Sequence, residues 1–491
     1  MNKIGIGYNT ARFASNQPHQ TAIIFGEHHI TYREFHQHVC QIQHHLLTYE
    51  NHKDQHKVAL LIGNEPVFLE LFFAIAKLGW IAIPFDPKWS EQEAVQIMNN
   101  VQPDLIITSE QFTKDVPYHF TSTLPIENMK ETIINTVDIP PAHNINKPFY
   151  VGFTSGSTGI PKGFIRNHQS WLTSFSAGEK VFQYNQNDRI IAPGPLSHSL
   201  SLYAAVHAIH SGATFYVTRS FSARSTYDLL NASKATVIYA VPTMLNGLAK
   251  QPHTVKQKVT ILSSGSKLEP AIRKSLKKVF PTSDVYEYYG ASELSFVTYA
   301  TEQIMATYPH SVGMPFPGVQ ITIRNDAGEP LSTNQVGAIY IESPFLFNGY
   351  VHNPGATKEV LTQHGANIGD LGSMNEEGIL TIVGRKENMI ITGGLNVYPE
   401  EIENVIKQSN DVKDVVVLGI DNAHWGQKVI AIIQWKEKDT TAYKKIRRHC
   451  KSHLSIYKRP RKYYMVEEFP YTSTGKIARQ EIESNIARWI K

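Results

Sequence analysis

Tyr150-Val-Gly-Phe-Thr-Ser-Gly-Ser-Thr-Gly-Ile-Pro-Lys-Gly163 is the stretch on which the reading of this chain turns. It begins as an apolar strand and runs into a loop dense in glycine and hydroxyl side chains, ending on Lys162. Glycines let successive backbone N–H groups converge on one anion. Hydroxyls add donors, and the lysine adds a point charge. A loop of this kind suits a polyphosphate. A flexible surface loop would have to explain four hydroxyl residues interleaved with two glycines, and a lysine, directly after a buried-type strand.

Around this loop, apolar runs of strand length alternate with amphipathic helical stretches from about residue 20 to 300. VALLIG (58–63), WIAIPF (80–85), DLIIT (104–108), TVIYAV (236–241) and KVTILSS (258–264) read as strands, and 91–99 and 226–232 as helices. The alternation predicts an α/β fold with parallel sheets covered by helices. Between 318 and 350 the pattern changes. GVQITIRND and GAIYIES alternate in period two around Asn325, Asp326 and Gly328, which predicts a small antiparallel, barrel-like element. After Gly384 a compact tail reads helix (399–408), strand (414–418), strand (429–434), helix (441–454), then loop. The expected organisation is a large domain over 1–384, a hinge at 385–387 and a small α+β lid over 388–491.

The bulk properties fit a globular protein with more than one core. The chain has 491 residues, 42% hydrophobic and 18% charged. No apolar run reaches the roughly 20 residues of a membrane span, and Phe68 to Phe85 is interrupted by Glu70 and Lys77. The first residues lack the apolar core of a signal peptide. Two cysteines, Cys40 and Cys450, exclude a disulfide framework and point to a reducing cytoplasmic setting. The net charge of +4 does not argue for nucleic acid. Lys444, Lys445, Arg447, Arg448, Lys451, Lys458, Arg459, Arg461 and Lys462 nevertheless crowd the tail; singly they read as a solvated face, together as a surface for a phosphorylated nucleotide or an acidic carrier protein.

Three signals point elsewhere and fail on inspection. Gly5-Ile-Gly7 starts like a dinucleotide fingerprint, but Thr10 stands where the third glycine belongs. His36, Cys40 and His44 recur at i, i+4, i+8. However, Thr31 and Glu34 make a capping box, and Phe35, Val39, Ile42 and Leu46 an apolar stripe, so the segment reads as a packed helix with no accompanying zinc ligand set. Ser473-Thr-Gly-Lys476 lacks the earlier glycine and the following hydroxyl of a Walker loop.

The 150–163 segment closely resembles the signature loop of the acyl-adenylate-forming superfamily, which includes acyl-CoA synthetases, nonribosomal adenylation domains and luciferases. The resemblance runs from about Thr31 to Arg479 with its motifs in order. Ala76-Lys-Leu-Gly79 to Pro84-Phe-Asp86 is similar to an early structural motif. Tyr289-Gly290-Ala-Ser292-Glu293 resembles the aromatic-Gly-x-Thr-Glu element. Gly337-Ala-Ile-Tyr-Ile-Glu-Ser-Pro344 to Gly349-Tyr350 resembles the motif before the ribose site. Gly369-Asp370-Leu-Gly372 resembles the ribose-binding aspartate motif. Gly384-Arg385-Lys-Glu387 with Gly393-Gly394 resembles the hinge and the loop after it. Pro470-Tyr-Thr-Ser-Thr474-Gly475-Lys476-Ile-Ala-Arg479 resembles the catalytic-lysine motif.

The resemblance implies ATP-dependent conversion of a carboxylic acid to an acyl-adenylate, then acyl transfer to coenzyme A. It implies that Thr154, Ser155, Gly156, Ser157, Thr158, Gly159 and Lys162 hold the nucleotide's phosphates, with Gly265, Ser266, Tyr289, Gly290 and Ser292 completing its site. The chemistry agrees residue by residue. Tyr289 offers an aromatic face for adenine. Glu293 is a hard oxygen ligand for Mg²⁺. Asp370 can accept from both ribose hydroxyls, and Arg385 brings a fork of donors. Lys476 would lower the repulsion between the acid's carboxylate and the α-phosphate. Departures from the usual pattern are Ile368 for threonine, Ala366 for tryptophan, and Glu387 at the hinge.

Pro195-Leu-Ser-His198-Ser199 resembles the element lining the carboxylate side of the acyl pocket. Ser199 stands where amino-acid-activating relatives carry an ammonium-binding aspartate. A serine cannot neutralise a cation, which disfavours an α-amino acid and leaves fatty, aryl and small aliphatic acids. His198 is the residue expected to contact the carboxylate or gate the tunnel. Tyr457-Lys458-Arg459-Pro460-Arg461 resembles the Tyr-Lys-x-Pro-Arg element of acyl-CoA synthetases; with Gly393 and Gly394 it implies a coenzyme A site. The chain ends at Lys491 with no carrier domain after Lys476, which favours a free thiol acceptor, a separate acyl carrier protein being the alternative partner. A catalytically silent nucleotide-binding relative is disfavoured by the retention of Lys162, Glu293, Asp370, Arg385 and Lys476.

Overall fold

The computed structural model describes residues 5–49, 55–115, 123–125, 138–139, 144–154, 161–233, 235–422, 425–436, 442–471 and 477–490. The chain forms two compact units, one of residues 1–320 with 341–366, the other of residues 321–340 with 367–491. Among the described residues no helix is long and apolar enough to cross a membrane.

Among the described residues the larger unit is built on two main sheets. In one, the strands Thr260–Ser263, Val237–Ala240 and Arg189–Ile191 run parallel, extended by Thr214–Tyr216 and Thr21–Phe25 on one side and Asp284–Ala291 on the other. In the other, Lys57–Leu61 lies between Ile81–Pro84 and Leu105–Thr108, all parallel, and Pro148–Thr154 pairs antiparallel with Lys162–Asn167. Strands buried on both faces have continuous apolar sequences rather than alternating ones. That is the pattern of Val58-Ala-Leu-Leu61 and Val237-Ile-Tyr-Ala240, all buried. The capping box at Thr31 forms as expected: its hydroxyl accepts from Glu34 N, and Phe35, Val39, Ile42 and Leu46 are buried.

In the smaller unit, Asp370–Met374 pairs antiparallel with Leu380–Arg385. The tail is built on the long hairpin of Val412–Asn422 with Gly426–Trp435. Val415 and Val417 face the helices Pro399–Lys407 and Ala442–His453 through Ile402, Ile406, Ile446 and Cys450. Val416 and Leu418 face Phe469 and Ile482 on the other side. Both faces are covered, so the hairpin carries little polar alternation. The stretch after 454, read as loop, differs from expectation: it carries the helices Arg479–Ser484 and Ile486–Trp489 as well as a strand. Residues 462–466, read as loop, form a strand parallel to Gly426–Trp435. The Lys-Arg-Pro-Arg-Lys run before it hides the short Tyr463-Tyr-Met-Val466 signal, and basic residues are what an unprotected sheet edge favours.

Candidate active site

In open α/β sheets, loops at the carboxyl ends of parallel strands converge on one crevice. Thr260–Ser263 opens there into Ser264-Gly265-Ser266, Asp284–Ala291 into Ser292-Glu293, and Arg189–Ile191 into the segment ending at His198. Ile81–Pro84 ends likewise before Phe85-Asp86. The Ser264 hydroxyl donates to the Tyr288 carbonyl at 3.1 Å, tying two strand ends together.

Tyr289, half-buried, sits at a bulge where Asp284–Ala291 changes register against Ser295–Ala300. Gly290 is required by close approach: a Cβ there would collide with the Ser295 carbonyl oxygen. The turn that follows carries Glu293, 8% exposed. The Tyr350 hydroxyl donates to its Oε1 at 2.7 Å, and Phe347 N donates to its backbone carbonyl at 2.9 Å. Arg166 Nη1 donates to the carbonyl oxygens of Ser292 and Glu293 at 3.3 and 3.4 Å. Lys162 Nζ lies 5.7 Å from the Tyr350 ring centroid. Thr154 and Lys162 are register partners on paired strands, and Ser155, Gly156, Ser157, Thr158 and Gly159 lie outside the described residues. Of this grouping the sequence reading did not single out Arg166, and it named Tyr350 only as the end of a motif. The spacing of Lys162, Phe164 and Arg166 at i, i+2, i+4 on one strand face was the available signal.

His198 precedes the helix Ser199–Ser211 and places Nε2 2.7 Å from Asp86 Oδ2. Asp86 Oδ1 accepts from Lys88 N at 3.0 Å. Burial pushes the Asp86 carboxyl up, but the hydrogen bonds from His198 and the Lys88 amide outweigh it and hold the carboxyl below its ordinary range. The Ser199 and Ser292 hydroxyl oxygens are 3.5 Å apart. Asp86, read from sequence as part of a structural motif, is thus the residue that fixes the His198 ring.

In the smaller unit, Asp370 and Arg385 are register partners, with Arg385 Nε 3.1 Å from Asp370 Oδ1. Asp370 is buried, while the Arg385 side chain is half-exposed and also reaches Glu387 at 3.5 Å. Asn367 replaces what Ile368 cannot supply: its side chain accepts from Gly369 N at 2.9 Å and donates to Ile339 O at 2.7 Å. Gly393 and Gly394 both have positive φ, and Gly393 N donates to Trp425 O at 2.8 Å. Lys458 is paired with both Glu401 oxygens at 2.7 Å. Arg459 donates to the carbonyls of Leu454 and Lys451 at the end of the helix Ala442–His453. Both cations are therefore engaged inside this unit. Lys476 lies outside the described residues.

His36 and Cys40 acquire a third neighbour from far along the chain, Asp138, all three donor atoms lying within 4.8 Å of one another. The buried Lys77 ammonium is 2.6 Å from Asp138 and already supplies the cation. Burial pushes the Cys40 thiol up to about 11, and burial with Lys77 pushes His36 down. A protonated thiol beside an ammonium is a packed, ion-paired seam and a poor metal site.

Comparison with known proteins bears on the whole arrangement. The AMP-binding enzyme model matches residues 10–351, and the AMP-binding enzyme C-terminal domain model matches 401–476. An uncharacterized acyl-CoA ligase of Bacillus subtilis is 35% identical over 479 residues, covering 97% of each chain. A putative long chain fatty acid-CoA ligase of Staphylococcus epidermidis is 32% identical over 475 residues, covering 96% of each. The fold superposes on o-succinylbenzoate CoA synthetase from Bacillus subtilis, solved with its acyl-adenylate intermediate, with a TM-score of 0.88 at 23% identity over 97% of this chain and 98% of that one.

Proposed function

Because the chain belongs to the AMP-binding enzyme family, we propose that it is an AMP-forming acid–thiol ligase, activating a carboxylic acid with ATP and passing the acyl group to coenzyme A. The observation that carries the reading is the buried Glu293 carboxylate held by the Tyr350 hydroxyl, with Lys162 beside the same ring and the hydroxyl-rich segment attached to it. In the first step the acid's carboxylate attacks the α-phosphorus of ATP and pyrophosphate leaves. In the second, the thiol attacks the acyl carbon and AMP leaves.

Each residue has one task in this scheme. Lys162 and the loop from Thr154 cradle phosphates. Tyr289 stacks adenine, Asp370 binds the ribose, and Arg385 orients Asp370. His198, fixed by Asp86, faces the acid, and Lys476 offsets charge as two anions meet. Mg²⁺, when bound, neutralises charge between the phosphates, and Glu293, a buried oxygen donor with its backbone tied by Arg166, fits it as a ligand. Gly393 and Gly394 leave room for the pantetheine arm. The lid over 388–491 rotates about 385–387 between the half-reactions.

A carrier protein is the alternative acceptor. It is favoured by the exposed cations Lys444, Arg447, Arg448 and Lys451, which share one face of Ala442–His453. Pyrophosphate release measured with a carboxylic-acid panel tests the first step. Offering coenzyme A and an acyl carrier protein in parallel tests the second. Thioester formed only on the carrier protein would overturn coenzyme A as acceptor.

A further inference from the structure

Arg166 is 1% exposed, one of the largest fully buried side chains of the protein. Its chemistry is unusual for that position. A guanidinium presents five N–H donors and is charged at neutral pH. Among the described residues its hydrogen-bond acceptors are two backbone carbonyls, Ser292 and Glu293, both from Nη1 and both long, at 3.3 and 3.4 Å. Nε has no partner. No carboxylate among the described residues reaches ion-pair distance: the Glu293 carboxylate is directed to Tyr350 instead. The phenols near it, Tyr150 and Tyr203, are pushed up by burial and stay neutral, so neither supplies an anion. The Glu293 carboxylate acts on Arg166 through space only, without ion-pair contact.

A buried charge with no counter-ion in contact among the described residues is unfavourable, and proteins retain one where a ligand completes the pair. The location says which ligand. Ser292, whose carbonyl Arg166 holds, has its hydroxyl 3.5 Å from that of Ser199, the residue after His198. The cation therefore lies where the segments His198-Ser199 and Ser292-Glu293 meet, which is where the proposed function seats the acid. We infer that Arg166 is a specificity-determining residue, the fixed counter-ion for a second carboxylate on the acid, so that the substrates are dicarboxylic acids activated at one end. This rests on the ligase reading of the site.

The reacting carboxylate is the wrong partner on energetic grounds. It loses its charge when it becomes an acyl-phosphate, so a cation bound to it would hold the ground state back and be left unpaired afterwards. A spectator carboxylate keeps its charge through both steps. One carboxylate then attacks phosphorus and releases pyrophosphate, the other stays against Arg166, and no further reagent is needed.

The test compares a homologous series of α,ω-dicarboxylic acids with monocarboxylic acids of matched length, in wild type and in Arg166→Leu. Wild type should favour the dicarboxylic acids by about 100-fold or more in kcat/KM for pyrophosphate release, because an acid lacking the second anion leaves the guanidinium unpaired. Arg166→Leu should reverse that preference, while any change in KM for ATP from loosening the Glu293 backbone should be the same with either acid series. Equal use of monocarboxylic acids by wild type would overturn the inference, and so would an Arg166→Leu effect confined to KM for ATP, which would make a nucleotide phosphate the counter-ion. If the variant does not fold, the wild-type preference decides alone. Calorimetric binding of the dicarboxylic acid with a non-hydrolysable ATP analogue separates the two readings: Arg166-dependent binding without pyrophosphate release would sink the ligase reading and leave the counter-ion standing.

Discussion

Lys476 is the residue with the sharpest assigned task. It is asked to act in adenylation and to be absent from thioester formation. Lys476→Ala should therefore lose about 2–4 kcal/mol of transition-state stabilisation in the first half-reaction, by analogy with one preorganised donor. Thioester formation from a supplied acyl-adenylate should survive. Assaying the half-reactions separately checks this, and equal losses in both would contradict the role. Tyr350 acts at one remove, holding the Glu293 Oε1 at 2.7 Å. Tyr350→Phe keeps the ring beside Lys162 and removes only that hydrogen bond, worth about 1–1.5 kcal/mol. The expected result is a roughly tenfold rise in the Mg²⁺ concentration for half-maximal pyrophosphate release, with KM for the acid unchanged.

These residues were unequally legible. Glu293 and Asp370 stood in motifs whose chemistry could be named from side-chain type alone. Tyr350 was visible only as the end of a motif, since its contact with Glu293 joins residues 57 apart in sequence. Asp86 meets His198 across 112 residues. Arg166 had only a faint local mark, its place on the strand face of Lys162, because what makes it notable is burial without a counter-ion in contact, a property of the surroundings rather than of the sequence.

At the scale of elements, the parallel strands were readable because burial on both faces leaves uninterrupted apolar runs, as in Leu105-Ile-Ile-Thr108. The strand Lys462–Val466 was not readable, because at a basic sheet edge its composition resembles a loop. The short 3₁₀ helix Lys386–Asn388 carries the proposed hinge. Proline fits an early helical position, so Glu387→Pro should leave the local fold intact while fixing one backbone dihedral. Acyl-adenylate formation should stay close to wild type and transfer to coenzyme A should slow. Glu387→Ala is the control for the lost Arg385 contact at 3.5 Å. Thioester formation by Glu387→Pro at the wild-type rate would place the hinge elsewhere.

The molecule as a whole should respond to acid through its buried histidines. His168, 1% exposed, accepts from Ile6 N at 3.0 Å through Nδ1 and stacks on Phe149. Burial pulls it down from 6.5 to about 4. The unfolded chain then binds a proton that the folded one refuses between those values, so stability falls as pH drops through that window. The contribution is about 3 kcal/mol by the direct conversion of such a shift. His168→Gln, which does not titrate, should flatten the dependence of Tm on pH between 6.5 and 4; an unchanged slope would show that the histidine is protonated in the fold.

The central claim is that one chain couples ATP cleavage between the α- and β-phosphates to thioester formation. The most direct measurement follows purified protein with ATP, Mg²⁺ and a panel of carboxylic and amino acids, quantifying pyrophosphate, AMP and acyl-adenylate with and without coenzyme A. The account predicts acid-dependent pyrophosphate release, an acyl-adenylate detectable by mass when coenzyme A is withheld, and equimolar AMP and acyl-CoA when it is added. Because Ser199 cannot neutralise an ammonium, free α-amino acids should give none of these. Release of ADP and phosphate, or pyrophosphate release with amino acids alone, would contradict it.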